Sequence, residues 1–331
     1  MKGKKSQVSP FDPAETQDDG SESTRASVLS PRDELDFDPA DPKHAVSVIV
    51  PAYNAARYIA ETLESILKQT VPPAEVIVVN DGSTDDTVSI VRSFGKAVTL
   101  IETPNQGQPK SRNLGAAKAV SNWLAFCDSD DLWRPEKLEK QLRLAHECPE
   151  IECVITDFTN YTDGVAAPRS HFSYTPRGFW DIEPYRSGFV VRQPITGRLT
   201  RFQPGGASVP LVKRTFFHRV GGFDPRRTGK RAEDTCFHVR CLSAVPFGVV
   251  PEVLTLYRRH PASISADRIV QLRKTVSVWK YIIAEYPQAQ PWKKDLLVGL
   301  TSMRKEVRKS VRYQRRQRIK RILRRLRLWR D

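Results

Sequence analysis

Three carboxylates in four positions, Asp128, Asp130 and Asp131, stand directly after the apolar run Trp123-Leu124-Ala125-Phe126. Acids clustered where a buried strand ends contribute little to folding. Hard oxygen ligands of this kind suit Mg2+ or Mn2+, which one or two carboxylates hold together with the phosphates of a substrate. The competing reading is a solvated acidic turn ahead of a helix that Pro135 opens. A second acidic pair, Glu233-Asp234, follows Gly221-Gly222-Phe223-Asp224 and opens a segment carrying Phe237, Val239, Arg240 and Leu242. A carboxylate there either acts as a general base or only complements a helix dipole. Asp81 and Tyr53 also follow apolar runs; each has a bland alternative, Asp81 as a turn former and Tyr53 as packing on the sheet edge.

The elements that must position these groups alternate. Residues 45–50 (Ala-Val-Ser-Val-Ile-Val) form a near-continuous apolar, β-branched run that Pro51 ends, the pattern of a strand covered on both faces. Tyr58, Ile59, Leu63, Ile66 and Leu67 then recur at helical spacing until Pro72-Pro73. A second buried strand, residues 76–79, runs into Asn80-Asp81-Gly82-Ser83-Thr84-Asp85-Asp86, where Gly82 permits a tight turn and Ser83 or Thr84 caps the next helix. The alternation continues through a strand over 98–101, a helix over about 111–119 with Pro109 at its start, and the strand 123–126. This is a doubly wound α/β domain, whose ligands bind beyond the carboxyl ends of the strands. Tyr53, Asp81 and the 128–131 cluster all sit at such ends. No Gly-x-Gly-x-x-Gly follows the first strand and no Gly-Lys-Ser/Thr loop occurs, so neither a dinucleotide fold nor a P-loop is supported.

Composition narrows the class. At 331 residues, 39% hydrophobic and 27% charged, the chain has the make-up of a globular enzyme. The longest apolar stretch, around Val245 to Leu256, is broken by Pro246, Gly248 and Pro251, so no span of a bilayer is expected. The basic start gives way to Ser, Asp, Glu and Pro, unlike a secretory signal, and a cytoplasmic protein is expected. Five cysteines without a Cys-x-x-Cys pair read as reduced, buried thiols. The net charge of +15 is concentrated at one end: residues 304–331 hold 14 Lys or Arg against 2 acids. Residues 1–42 reverse the sign, with 5 basic against 10 acidic residues, and are expected to form a disordered acidic arm.

The order Ser47-Val48-Ile49-Val50-Pro51-Ala52-Tyr53-Asn54, Val79-Asn80-Asp81-Gly82-Ser83-Thr84-Asp85, Asn105-Gln106-Gly107 with Ser111-Arg112-Asn113-Leu114-Gly115, and Asp128-Ser129-Asp130-Asp131 resembles the family 2 glycosyltransferases. Gly221-Gly222-Phe223-Asp224, Glu233-Asp234 and Tyr257-Arg258-Arg259-His260 extend the resemblance over residues 46–265. Gln108-Pro109-Lys110 departs from the family's usual small residues there, leaving Lys110 either to reach a phosphate or to face solvent.

The resemblance implies a GT-A fold over 43–265, with a nucleotide-sugar half (43–160) and an acceptor half (161–265); beyond it a helical extension is expected over 266–303. It also implies an inverting transfer from a nucleoside-diphosphate sugar, most often a UDP-sugar, to a hydroxyl of a glycan, polysaccharide or lipid-linked acceptor. By resemblance, Pro51, Tyr53, Asp81, Arg112, Asn113, Asp128 and Ser129 line the nucleotide-sugar site. Tyr53 would stack on the base, Asp81 would accept from it, and Asp128 would hold the ribose. Asp130 would ligate Mn2+ or Mg2+, with His260 as a second ligand or merely a structural residue, and Asp234 would be the base. One base suffices chemically, because a leaving diphosphate needs charge neutralisation and no proton. Sugar nucleotidyl transfer is the alternative enzyme; it calls for a Gly-rich basic loop after the first strand, where Pro51-Ala52-Tyr53-Asn54 stands.

Two stretches outside these motifs carry open readings. Between 160 and 203, Phe172, Tyr174, Phe179, Trp180, Tyr185 and Phe189 interleave with arginines including Arg169 and Arg177, as sugar- or anion-binding faces or as packing under a long loop. In the tail, 304–331, Ile319, Ile322, Leu323, Leu326 and Trp329 lie on one helical face among arginines, a basic amphipathic helix expected to dock on an anionic membrane surface from the cytoplasmic side. Packing on the domain, a partner helix and nucleic-acid binding are its other readings. The last is disfavoured, because the folded domain lacks the basic field.

Overall fold

A computed structural model describes residues 37–176, 178–227, 233–260 and 268–325, of which the side chains of Arg268, Gln271 and 321–325 are excluded. The arm up to residue 36, Arg177, and Leu326 and Trp329 of the tail stripe therefore lie outside the described residues. The chain divides into two units, one of Met1–Ile195 with Phe202–Arg259, the other of Thr196–Arg201 with His260–Asp331.

The first unit is built on one mixed sheet. The β-branched run expected to be covered on both faces forms β1 (Val46–Ala52), buried along its whole length. It lies between β2 (Glu75–Asn80) and β4 (Trp123–Phe126), parallel to both, and β3 (Thr99–Glu102) extends the parallel part beyond β2. Crossovers are made by α1 (Ile59–Leu67), α2 (Thr87–Ser93) and α3 (Gln108–Lys118). α3 begins at Gln108 with Pro109 in its first turn, three residues earlier than the apolar spacing places it. Gly115 of α3 lets the helix settle on β1: a Cβ there would come within 2.5 Å of Ile49 Cγ2.

Strand order 3-2-1-4 means the winding reverses between β1 and β4, and a doubly wound sheet opens a crevice there. Pro51 fits this point. Ile49 turns its carbonyl to Cys127 N (3.0 Å), so Pro51, two residues on, faces the side on which β4 has already ended, and its missing N–H costs no ladder bond.

Beyond β4 the chain makes β5 (Leu132–Trp133) and α4 (Lys137–Glu147), then β6 (Cys153–Thr162), β7 (Val165–Ala166), β8 (Ile182–Tyr185) and β9 (Gly188–Val191). β10 (Leu211–Lys213), α5 (Arg214–Arg219), α6 (Glu233–Leu242) and β11 (Phe247–Arg258) complete the unit. β10 inserts antiparallel between β4 and β6, and β11 runs parallel to β6, so β1, β4, β6 and β11 all end on one side of the sheet. The aromatic-rich stretch is chiefly packing: Phe172, Phe179, Trp180 and Phe202 are buried against one another, whereas Tyr174 is 55% exposed.

In the second unit, α7 (Arg268–Glu285) and α8 (Lys293–Arg325) pack together through Val278, Trp279, Ile282, Leu296 and Leu300. Gly299 leaves room for Thr200, whose Oγ1 would lie 1.8 Å from a Cβ at that position. The basic tail continues α8 to Arg325, with Tyr313 and Ile319 exposed. No described helix is long and apolar enough to cross a membrane.

Candidate active site

Two loops close the carboxyl ends of β1 and β2 against each other. Asn54 N donates to Ser83 Oγ (2.9 Å) and Thr84 N to Asn54 Oδ1 (2.8 Å); Ala55 N donates to Thr87 Oγ1 (2.8 Å). Tyr53, at the tip, is 50% exposed and makes no ring contact among the described residues, so it is not a packing residue. Asp81 is buried, and its two oxygens accept from Gln106 N and Gly107 N, each at 2.8 Å. It thereby fixes the loop that leads into α3, a loop that also needs Gly82 at φ 77°, where a Cβ would meet Asn105 N at 2.9 Å. Lys110, in the first turn of α3, is exposed.

The next turn of α3 sends Arg112 inward. Its guanidinium is 1% exposed, donating from Nη2 to Asp128 Oδ1 (2.5 Å) and from Nη1 to Glu233 Oε1 (2.9 Å), with its carbon 4.9 Å from the centre of the Phe223 ring. Burial works to lower its pKa, but the Asp128 and Glu233 carboxylates overcome that and raise it, so the group stays charged. One cation thus joins the end of β4 to the start of α6. Beneath it Phe126, Phe217, Phe223 and Phe237 form an aromatic cluster, Phe223 and Phe237 stacked at 4.4 Å. The adjacent Asn113 spends both ends of its amide on the Phe223 backbone, at 2.7 and 2.9 Å. Gly222 permits that approach, since a Cβ there would stand 2.7 Å from Asn113 Oδ1.

Asp234, half-buried beside this cluster, accepts from Thr235 N at 2.7 Å. Burial, and then the neighbouring Glu233 charge, pushes its carboxyl up to about 7; the Thr235 N–H and Arg112 pull the other way. Nothing in the acidic pair's sequence distinguishes the two carboxylates. The fold does so, by giving Arg112 to Glu233 and leaving Asp234 with a backbone bond.

Besides Arg112, three residues hold the 128–131 loop. Thr62 Oγ1 of α1 faces Ser129 O (3.1 Å) and Asp131 O (2.9 Å). Ser208 Oγ accepts from Asp128 N (3.0 Å) and donates to Asp131 Oδ2 (2.6 Å). Arg258, at the end of β11, donates from its backbone N to Asp131 Oδ1 (3.0 Å) and from Nε to Asp130 O (2.7 Å). Asp131 is consequently 1% exposed and structural; burial, with the charges of Asp130 and Asp128, holds its carboxyl well above the usual range. Thr62, Ser208 and Glu233 were not singled out by sequence reasoning as partners in the site. Their partners lie up to 121 positions away, so no local pattern announces them.

With Asp128 taken by Arg112 and Asp131 by Ser208 and Arg258, Asp130 is the half-buried acid of the loop best suited to an external cation. A hard carboxylate oxygen in an acidic loop fits Mg2+ or Mn2+. Among the described residues no three His, Cys, Asp or Glu converge on a ligand set, so an ion held here would need oxygens from a substrate. His260 opens the second unit and is half-buried.

The family model described as Glycosyl transferase family 2 matches residues 47–209. A putative teichuronic acid biosynthesis glycosyltransferase of Bacillus subtilis, TuaG, is 34% identical over 179 residues, covering 52% of this chain and 68% of the relative. An uncharacterized glycosyltransferase of Haemophilus influenzae is 32% identical over 236 residues, covering 67% and 71%. The chain belongs to glycosyltransferase family 2. Among solved structures, S. aureus TarS 1-349 in complex with UDP-GlcNAc superposes with a TM-score of 0.59 at 22% identity, over 78% of this chain and 71% of that one. The mannosyltransferase PcManGT of Pyrobaculum calidifontis, in complex with GDP-Man and Mn2+, gives 0.54 at 22%, over 82% and 79%. The glycosyltransferase therefore has the GT-A fold expected from its motifs, a mostly parallel sheet flanked by helices with a C-terminal helical part.

Removing the Arg112 cation should unfold this arrangement. Arg112→Met leaves Glu233 and the half-buried Asp128 without their cation and should cost about 3 kcal/mol. The urea unfolding midpoint should fall accordingly and recover in part in Arg112→Met/Glu233→Gln. A midpoint unmoved by the single change would show that the pair does not hold the site.

Proposed function

We propose that this glycosyltransferase moves a sugar, with inversion, from a nucleoside-diphosphate sugar, in the first place a UDP-sugar, to a hydroxyl of a glycan, polysaccharide or lipid-linked acceptor. The observation that carries the mechanism is Asp234, a half-buried carboxyl with a pKa near 7 placed on the same Arg112-centred cluster as Asp128. The donor lies in the crevice between the ends of β1 and β4. Tyr53 offers its exposed ring to the base; Asp81, whose oxygens keep lone pairs beyond their two backbone bonds, accepts from it; Pro51 shapes the strand end beneath. Asp128 takes the ribose with Ser129 beside it, its second oxygen remaining after the bond to Arg112. Arg112 and Asn113 hold the pocket wall in place. Asp130 would hold Mn2+ or Mg2+ together with oxygens of the substrate, and His260 keeps only the role of second ligand that the resemblance implies. Such an ion, when bound, neutralises the charge that develops on the leaving diphosphate.

Asp234 accepts the proton of the acceptor hydroxyl as the hydroxyl oxygen attacks the anomeric carbon from the face opposite the diphosphate, so one displacement inverts that carbon. A base poised near neutrality suits this task, ionised often enough to act yet basic enough to take the proton. PcManGT in complex with GDP-Man and Mn2+ supports a metal-assisted donor, and TarS with UDP-GlcNAc supports the UDP choice. The relation to a teichuronic acid enzyme supports a polysaccharide acceptor.

The tail is the second part of the proposal. α8 extends the basic run of residues 304–325 as one helix with Ile319 exposed, which favours docking on an anionic surface at the cytoplasmic face of a membrane. Juxtamembrane Lys and Arg contribute about 1 kcal/mol each near such a surface, and binding falls with salt. The full chain should co-sediment with phosphatidylglycerol vesicles at low salt and a chain ending at Met303 should not; equal pelleting of the two would dismiss the tail as an anchor.

For the site, isothermal titration should find UDP binding strengthened by Mn2+, an effect lost in Asp130→Ala. Asp234→Asn should keep UDP affinity while turnover falls by roughly 10²-fold or more. The pH dependence has a definite sign. A carboxyl raised from 3.8 to about 7 is an active base only when ionised, so kcat/KM should rise with pH to about 7 and level off above it. Its contribution to stability runs oppositely, being present at low pH and lost as pH rises through 7. A flat acid limb, or near-normal turnover in Asp234→Asn, would remove Asp234 from the base role.

A further inference from the structure

A small pocket on the same side of the sheet belongs to none of the groups discussed so far. It has a volume of about 190 Å³ and is lined by Thr159 and Asn160 at the end of β6 and by Arg169, His171 and Tyr174 on the segment that follows β7. That segment is pinned to β6. Thr159 Oγ1 lies 3.1 Å from both Ala167 O and Arg169 O, and Ala167 N donates to Asn160 O (2.7 Å). The buried Asp157 accepts from Phe172 N (2.9 Å). His171 N donates to Phe158 O (2.8 Å), and its ring lies between Phe158 and Phe202 at 4.4 and 4.6 Å. The wall is therefore held rigid before any ligand arrives.

Its chemistry is specific. His171 Nε2 sits 2.6 Å from Gln203 O, an acceptor, so Nε2 carries the proton and Nδ1 is left as an acceptor. Burial lowers the pKa of this ring and keeps it neutral. Tyr174 is 55% exposed, an apolar face with a polar tip. Arg169 is exposed, and its guanidinium forms no ion pair among the described residues. Asn160 adds an exposed amide. A flat ring, a neutral acceptor, an amide and an unpaired guanidinium suit a hydroxyl-rich ring bearing a negative charge, and Arg matches carboxylate and phosphate oxygens in geometry as well as charge. At 190 Å³ the pocket is smaller than sites for drug-sized or nucleotide ligands and suits one ring.

Its position relates it to the chemistry. Asn160 stands opposite Tyr257 in the β6–β11 register, and the next residue of β11, Arg258, bonds the carbonyl of Asp130. β6 is two strands from β4, roughly 10 Å across the sheet at ~4.8 Å per strand, and since Val154 is level with Ala125, Asn160 stands further along the strand direction, on the side toward which β4 ends.

We propose that this pocket is an acceptor subsite for one anionic unit of the acceptor chain, a sugar ring with a carboxylate or a polyol carrying phosphate. Arg169 pairs with the anion, Tyr174 covers the ring face, and His171 Nδ1 and Asn160 take hydroxyls. The proposal rests on the glycosyltransferase reading for the term acceptor, while the pocket's preference for anions can be measured without it.

The test uses the full chain and saturation-transfer NMR titrations with glucuronic acid, glycerol 3-phosphate and glucose, alongside UDP titrations. At least one anionic probe should bind about tenfold more tightly than glucose, the worth of one charge-assisted bond, and the better of the two identifies carboxylate or phosphate as the source. Arg169→Gln should erase that preference and leave UDP affinity unchanged, and Arg169→Lys should retain part of it. Equal binding of all three probes, or an anion preference that survives in Arg169→Gln, would overturn the proposal. So would loss of UDP affinity in Arg169→Gln, which would assign Arg169 to the diphosphate. If UDP fails to bind the wild-type protein while the Arg169-dependent preference persists, the donor reading falls and the anion pocket stands.

Discussion

The buried guanidinium of Arg112 is the constraint on which the site depends. An arginine with 1% exposure is tolerable only if its charge is met, and here two carboxylates from distant parts of the chain meet it, Asp128 after β4 and Glu233 at the head of α6. The arrangement is reciprocal, because neither carboxylate could be drawn in without the cation. Buried ion clusters are often no more stable than well-packed apolar side chains of the same volume, and what this triad supplies is geometry. What it fixes is the distance between the 128–131 loop and the acidic pair at the head of α6. The same cation leaves Asp234 as the odd carboxylate beside Glu233, and burial, then the Glu233 charge, push its carboxyl up to about 7.

Around this centre, the positions of the acidic groups are set by ordinary hydrogen bonds from neighbouring segments. Thr62 on α1, Ser208 ahead of β10 and Arg258 at the end of β11 all converge on the 128–131 loop. Three acids side by side repel one another, and a loop of that composition left to itself would splay into water. Engaging Asp128 through Arg112 and Asp131 through Ser208 and Arg258 holds the loop to one narrow geometry.

The antiparallel β10 makes the second half of the sheet possible. By inserting between β4 and β6 it carries β6 and β11 back into the direction of β1, so their ends reach the same face as the donor crevice. The pocket at Arg169 and the clamp at Arg258 are both consequences of that one strand reversal.

The apolar runs and breakers of the sequence suffice to place β1, β2, β4 and α3, since a two-sided buried strand and a Pro-opened helix are local properties. The acids at the strand ends were legible for a related reason: hydrophobic runs rarely end in carboxylates unless these have work to do. The motif order was enough to indicate the family and the GT-A fold. Tertiary structure alone decided how the acids of each cluster differ. Asp130 differs from Asp131, and Asp234 from Glu233, only through partners brought from as far as 121 to 127 positions away. It also decided that most aromatics of 172–202 are core while Tyr174 is not, because burial depends on which elements close over a side chain. Local sequence encodes what a residue can do; the packing of remote segments determines whether it is left free to do it.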